Sequence, residues 1–141
     1  MSIAELFSQG FLKNIQPSEE RVKKSLSTAA GYLAEARLNL KSGAYQSTVL
    51  TSYSCIFHAA RAVLFRDGVA ERSHFAVHDY LQEKHPGLGM VYINGFDMYR
   101  KLRHSTAYGL DTVVEEDDAE KAVQFAESFL ADVKKYLKIK D

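Results

Sequence analysis

Apolar residues recur at three- and four-residue spacing through most of this chain, and no stretch alternates strongly enough to read as a strand. Only two prolines, Pro17 and Pro86, interrupt 141 residues, so little stands in the way of helix. This pattern predicts an all-α protein, an up-and-down bundle of four main helices with room for a fifth, short one at the N-terminus.

Residues 1–16 carry Ile3, Leu6, Phe7, Phe11, Leu12 and Ile15, too sticky for a solvated tail, and are expected to form a short helix or arm packed on the body. Residues 17–141 make up the bundle. Its first helix opens at Pro17-Ser18-Glu19-Glu20, with Ser18 as N-cap and two glutamates at the positive end of the helix dipole. Val22, Leu26, Ala29, Leu33, Ala36 and Leu40 form its stripe, and Lys41-Ser-Gly43 ends it.

A second helix, 44–67, is apolar over a wide arc, which makes it either central or shared with a partner. Asp67-Gly68 stops it. A third spans 72–85, with Phe75, Val77, Tyr80 and Leu81 inward, and Pro86-Gly-Leu-Gly-Met is expected to be a loop. A fourth runs 94–107. After a connection at 109–116, Asp117 and Glu120 have the spacing of a capping box for the last helix. Its core positions are Ala119, Val123, Ala126, Leu130, Val133 and Leu137.

Eighteen basic and eighteen acidic residues cancel, so a nucleic-acid function would need a local basic patch. The lone Cys55 lies in an apolar run and reads as a buried, inert thiol. The first residues lack the pattern of a signal peptide, and no apolar run approaches the roughly 20 residues of a membrane helix. The expected compartment is the cytoplasm, with no membrane association.

Chemistry-bearing residues are few. His74 and His78 stand at i, i+4, but no acidic residue or third ligand completes a metal site, and no metal or cofactor is implied. His58 lies mid-helix among apolar residues and reads as a core or interface histidine. The densest polar cluster is Arg100-Lys-Leu-Arg-His-Ser-Thr-Ala-Tyr108. On a helix, Arg100, Arg103, His104, Ala107 and Tyr108 share an arc of about 140°. Guanidiniums there could clamp a phosphate while the imidazole or phenol handles a proton. A solvated basic face, opposite an apolar one of Tyr99, Leu102 and Thr106, is the simpler account of the pattern from the residues alone.

The segment Ser52-Tyr-Ser-Cys-Ile-Phe-His-Ala-Ala-Arg-Ala-Val-Leu-Phe65, then Asp67-Gly68 and Ser73-His74, resembles the small stand-alone prokaryotic HEPN proteins. That family follows it with an Arg-x4-[His or Tyr] element, which here looks like Arg103-His-Ser-Thr-Ala-Tyr108 and is trailed by Gly109. The likeness spans about residues 25–137. It implies a helical bundle that works as a homodimer. Many members are metal-independent ribonucleases, often toxins paired with a small nucleotidyltransferase antitoxin. In such an enzyme Arg103 would stabilise the charged phosphorane, with His104 or Tyr108 as the proton-transfer group.

The active family form is Arg-x4-6-His, whereas five residues after Arg103 stands Tyr108, and a phenol is a poor base at neutral pH. The acidic residue common before that tyrosine is Ala107 here. Three functions follow. One is a non-catalytic module that binds nucleotide or RNA through Arg100, Arg103 and Tyr108 as half of a nucleotidyltransferase/HEPN toxin-antitoxin-like pair, with Tyr108 a target for nucleotidylation if the transferase partner exists. Another is a metal-independent endoribonuclease toxin using Arg103, His104 and Tyr108. The third is a purely structural helical adaptor.

Overall fold

A computed structural model describes residues 1–140. Four long helices carry the architecture: α2 (Glu19–Lys41), α3 (Tyr45–Asp67), α5 (Met90–Tyr108) and α6 (Glu116–Tyr136). A short α1 (Ile3–Ser8) precedes them, and α4 (His74–Lys84) crosses between α3 and α5. The all-α bundle of the sequence is the fold. A pair of three-residue strands, β1 (Leu12–Asn14) and β2 (Val69–Glu71), adds a small sheet not expected from the sequence. They run antiparallel, with Leu12 opposite Glu71 and Asn14 opposite Val69. Three residues are too few for alternation to register against a helical background.

The caps explain most of the boundaries. The Ser18 hydroxyl accepts from the Arg21 amide at 3.1 Å, as its position suggests. Gly68, with φ at 76°, closes α3 in the left-handed conformation. A Cβ there would stand 2.8 Å from the Ile15 carbonyl oxygen, so this turn needs glycine twice over. Two boundaries differ from the sequence reading. The capping box of α6 is Glu115 with Asp118, not Asp117 with Glu120, because the helix already starts at Glu116. Helix α5 starts at Met90 rather than Asn94, since Pro86–Leu88 wind into a 3₁₀ turn that Gly89 redirects.

Helix α3 is the axis of the core. Val49, Tyr53, Ile56, Ala60 and Leu64 are buried, and α2 and α6 pack along it, with α5 across its first half. By length and apolar composition α3 could cross a membrane, contrary to the sequence estimate, yet two thirds of that window, 67%, is buried inside the bundle. Its wide apolar arc is therefore covered by the chain itself. Of the two readings of that arc, central in the bundle or shared with a partner, the fold takes the first. Leu6 and Leu12 from the N-terminal segment are buried in the same core. Cys55 is fully buried and burial pushes its thiol up to about 12, so it is the inert thiol expected.

Gly95 in mid-α5 looks like a helix defect, since glycine costs about 1 kcal/mol relative to alanine there. The Phe125 ring of α6 occupies the space its side chain would take, 2.2 Å from an ideal Cβ. Gly95→Ala is therefore expected to destabilise the protein by roughly 1–3 kcal/mol through overpacking, despite the better helix propensity. Urea denaturation checks the sign, and a more stable variant would show that Phe125 can move aside.

Beside the 3₁₀ turn, Asp67 at the end of α3 gathers two partners. It accepts from the Tyr80 hydroxyl at 2.7 Å and faces His85 Nε2 at 2.5 Å. The other ring nitrogen of His85 meets the Tyr136 hydroxyl at 2.7 Å. This network ties α3, α4, the turn and the end of α6 together, and it sets the origin from which α5 departs.

Candidate functional site

Helix α5 presents its polar arc as the sequence predicts, and α4 completes it. His74 is the first residue of α4, three residues beyond the end of β2, and the strand pair fixes where that helix begins. The Arg72 amide donates to the Phe11 carbonyl at 2.8 Å, and Phe75 meets Phe11 edge-on at 5.0 Å. His74 thereby joins Arg100, Arg103 and His104 around a small cavity of about 210 Å³.

The four cavity side chains differ in what holds them. Arg100 donates through Nε to Asp97 at 2.9 Å, and Lys101 reaches the same carboxylate at 3.1 Å. Burial opposes ionisation of Asp97, but these hydrogen bonds prevail and hold its carboxyl below the usual range. Arg103 is half-buried and forms no hydrogen bond or ion pair among the described residues. A partly desolvated guanidinium without a carboxylate is a ready anion ligand. His104 is exposed at the rim, its ring 5.0 Å from that of Tyr108.

His74 is the most constrained. Its Nδ1 lies 2.9 Å from the buried Tyr53 hydroxyl, and its ring stacks on Phe57 at 4.0 Å between centroids. Burial lowers its pKa, and the positive charges of Arg103, Arg100 and Arg61 lower it further, so the free site holds a neutral imidazole at pH 7. Burial also raises the Tyr53 phenol, which makes it a fixed hydroxyl rather than a base. His58 is depressed in the same way, first by burial and then by Arg61.

These two histidines give a pH dependence of stability. In the unfolded chain each titrates near about 6.5. Between there and the lowered native values the unfolded state binds more protons, so stability falls as pH falls through that window. The expected result is a melting temperature that declines below about pH 6.5, with part of the slope absent in His74→Gln. A pH-independent melting temperature over that window would refute it.

Arg100, Arg103 and His104 thus converge as the sequence suggests. Tyr108 does not: it is 67% exposed one turn on and reaches the group through the His104 ring. His74, set aside in the sequence as half of a weak metal pair, is a member. It turns to Tyr53 and Phe57, while His78 turns to Asp79 at 3.1 Å, and no cluster of three metal-ligating side chains exists among the described residues. The i, i+4 spacing of Tyr53 and Phe57 on α3 is the one signal that could have flagged the aromatic support for His74.

Residues 22–136 match the sequence profile of the HEPN domain, and the match contains the whole of α3, α4 and α5 with every residue of this cavity. HEPN domains are in general associated with nucleotides or RNA. No curated protein matches the chain at a significant level. A match over most of the chain, on the bundle described above, establishes that this protein belongs to the HEPN domain family.

Proposed function

We propose that this HEPN domain is a nucleotide- or RNA-binding module that takes a phosphate group in the cavity between α4 and α5. The observation that carries the reading is the half-buried guanidinium of Arg103, without a carboxylate partner, in a cavity lined by His74, Arg100 and His104. At about 210 Å³ the cavity is smaller than typical small-molecule pockets. It suits a phosphate and leaves sugar and base outside. Tyr108, exposed one turn beyond the cavity, would be open to modification by a nucleotidyltransferase partner.

A second reading, a metal-independent endoribonuclease, is favoured by one specific feature: a neutral imidazole at His74 beside two arginines. There Arg103 would hold the phosphate and His74 would accept the 2′-hydroxyl proton. Incubation of RNA with the protein in excess chelator separates the two. The module reading expects Arg103-dependent binding with intact RNA, and cleavage lost in Arg103→Ala would replace it with the nuclease.

The homodimer belongs to the same proposal, but on a different face from the one the sequence suggested. Val91 and Met98, on one face of α5, and Leu110 and Val113 beyond it are exposed apolar side chains, Val91 being 79% exposed. Sedimentation equilibrium is expected to show a dimer that Val91→Glu with Met98→Glu converts to monomer. A concentration-independent monomer for the unaltered chain would remove the dimer.

A further inference from the structure

A second basic cavity, of about 450 Å³, lies on the other side of the Phe57–His74 stack, between α2, α3 and the strand pair. Lys13, Arg21, Lys24, His58 and Arg61 line it, and Glu71 is the sole carboxylate there. That carboxylate is already taken by a close ion pair with Arg61. Lys13 and Arg21 are exposed and form no ion pair among the described residues. Lys24 pairs with Glu20 at 3.0 Å, but both ends are solvated and such a pair holds weakly.

The wall is built rather than incidental. The Arg61 guanidinium lies over the Phe57 ring at 5.5 Å and the Phe65 ring at 4.9 Å, which fixes the direction in which it points. His58 stacks on Tyr32 at 5.5 Å and touches Phe57 edge-on at 5.6 Å. The aromatic rings therefore run without a break from Tyr32 through His58 and Phe57 to His74, joining this cavity to the one at Arg103. Phe57 and His74, both partly exposed, form its end towards Arg103.

We infer that the Lys13–Arg21–Arg61 cavity is a second phosphate site, and that the ligand is a single-stranded polynucleotide crossing the Phe57–His74 stack with a phosphate in each cavity. Two cationic cavities separated by half-exposed rings are what a strand requires, its backbone tracking the charges while bases stack between them. The inference rests on the proposed Arg103 site for one end of the strand and adds the other end. It also explains how a protein with no net charge could hold a polyanion: two local patches replace an overall field.

The test is fluorescence anisotropy with a labelled RNA of about ten nucleotides, within the site sizes of small single-strand binders. A labelled mononucleotide 5′-phosphate serves as the second probe. The variants are Lys13→Ala with Arg21→Ala, Arg103→Ala, and Lys84→Ala with Lys140→Ala as a charge control outside both cavities. Circular dichroism verifies each fold. Expected is RNA binding about tenfold weaker in the Lys13/Arg21 variant, with the salt slope reduced by about 0.7, the value for one lost single-strand phosphate contact. The mononucleotide and the charge control should change little.

RNA binding that needs Arg103 but ignores Lys13 and Arg21 would overturn the second site and leave the first standing. Sensitivity to Lys13 and Arg21 without sensitivity to Arg103 would keep the second site and sink the first. A mononucleotide, and not the RNA, weakened by the Lys13/Arg21 change would overturn the strand path, as would a charge control equal in effect. No RNA binding by the unaltered, folded protein would overturn both.

Discussion

Arg103→Ala is expected to weaken phosphate-ligand binding by roughly ten- to hundredfold, the range for losing a hydrogen bond to a charged group of about 1.5–3 kcal/mol. The fold should not suffer, because Arg103 forms no ion pair or hydrogen bond among the described residues that its removal would orphan. Arg100→Ala offers the contrast. Arg100 already donates to Asp97, so its removal leaves a half-buried carboxylate with only Lys101, and stability and binding should fall together. Titration calorimetry beside thermal melts separates the two variants. Unchanged affinity in Arg103→Ala would reduce the polar face of α5 to solvated surface, which is the structural-adaptor alternative.

The largest effect on stability is expected at Phe96. It is fully buried where α5 crosses α3, its ring 5.9 Å from Tyr53 and 6.4 Å from Phe129 of α6. Phe96→Ala should cost about 3–5 kcal/mol, the lost transfer energy plus the cavity left behind. That is a large share of the 5–15 kcal/mol by which a domain is ordinarily stable. The same change should reach the site, because Tyr53 packs on Phe96 and its hydroxyl holds His74. The check is chemical denaturation together with the NMR line width of the His74 ring. A loss under 1 kcal/mol would mean that Tyr53 and Phe129 close over the gap, and an undisturbed His74 would place its support elsewhere.

Much of this was legible in the residues alone. The stripe from Val22 to Ala36, the Ser18 cap, the Gly68 stop and the buried positions of α6 follow from helical periodicity and local capping chemistry, which act within a few residues. So did the arc of Arg100, Arg103 and His104, since about 100° per residue fixes which side chains share a face. The Asp117 cap failed for a local reason as well: consecutive acids at Glu115, Glu116, Asp117 and Asp118 offer overlapping boxes. The sequence also set the wide apolar arc of α3 but left open whether a partner or the chain itself would cover it.

Only the tertiary structure decided that α2, α5 and α6 supply that cover, and that Val91 and Met98 of α5 stay exposed. It also decided what faces the arginines. His74 arrives from α4 because two three-residue strands fix where that helix begins, and Tyr53 and Phe57 then select its ring orientation. Lys13 and Arg21 meet Arg61 across separations that no local pattern encodes. Periodicity determines the direction in which a side chain leaves its own helix. What it meets there depends on packing many residues away, so Arg103 could be read from the sequence and the company it keeps could not.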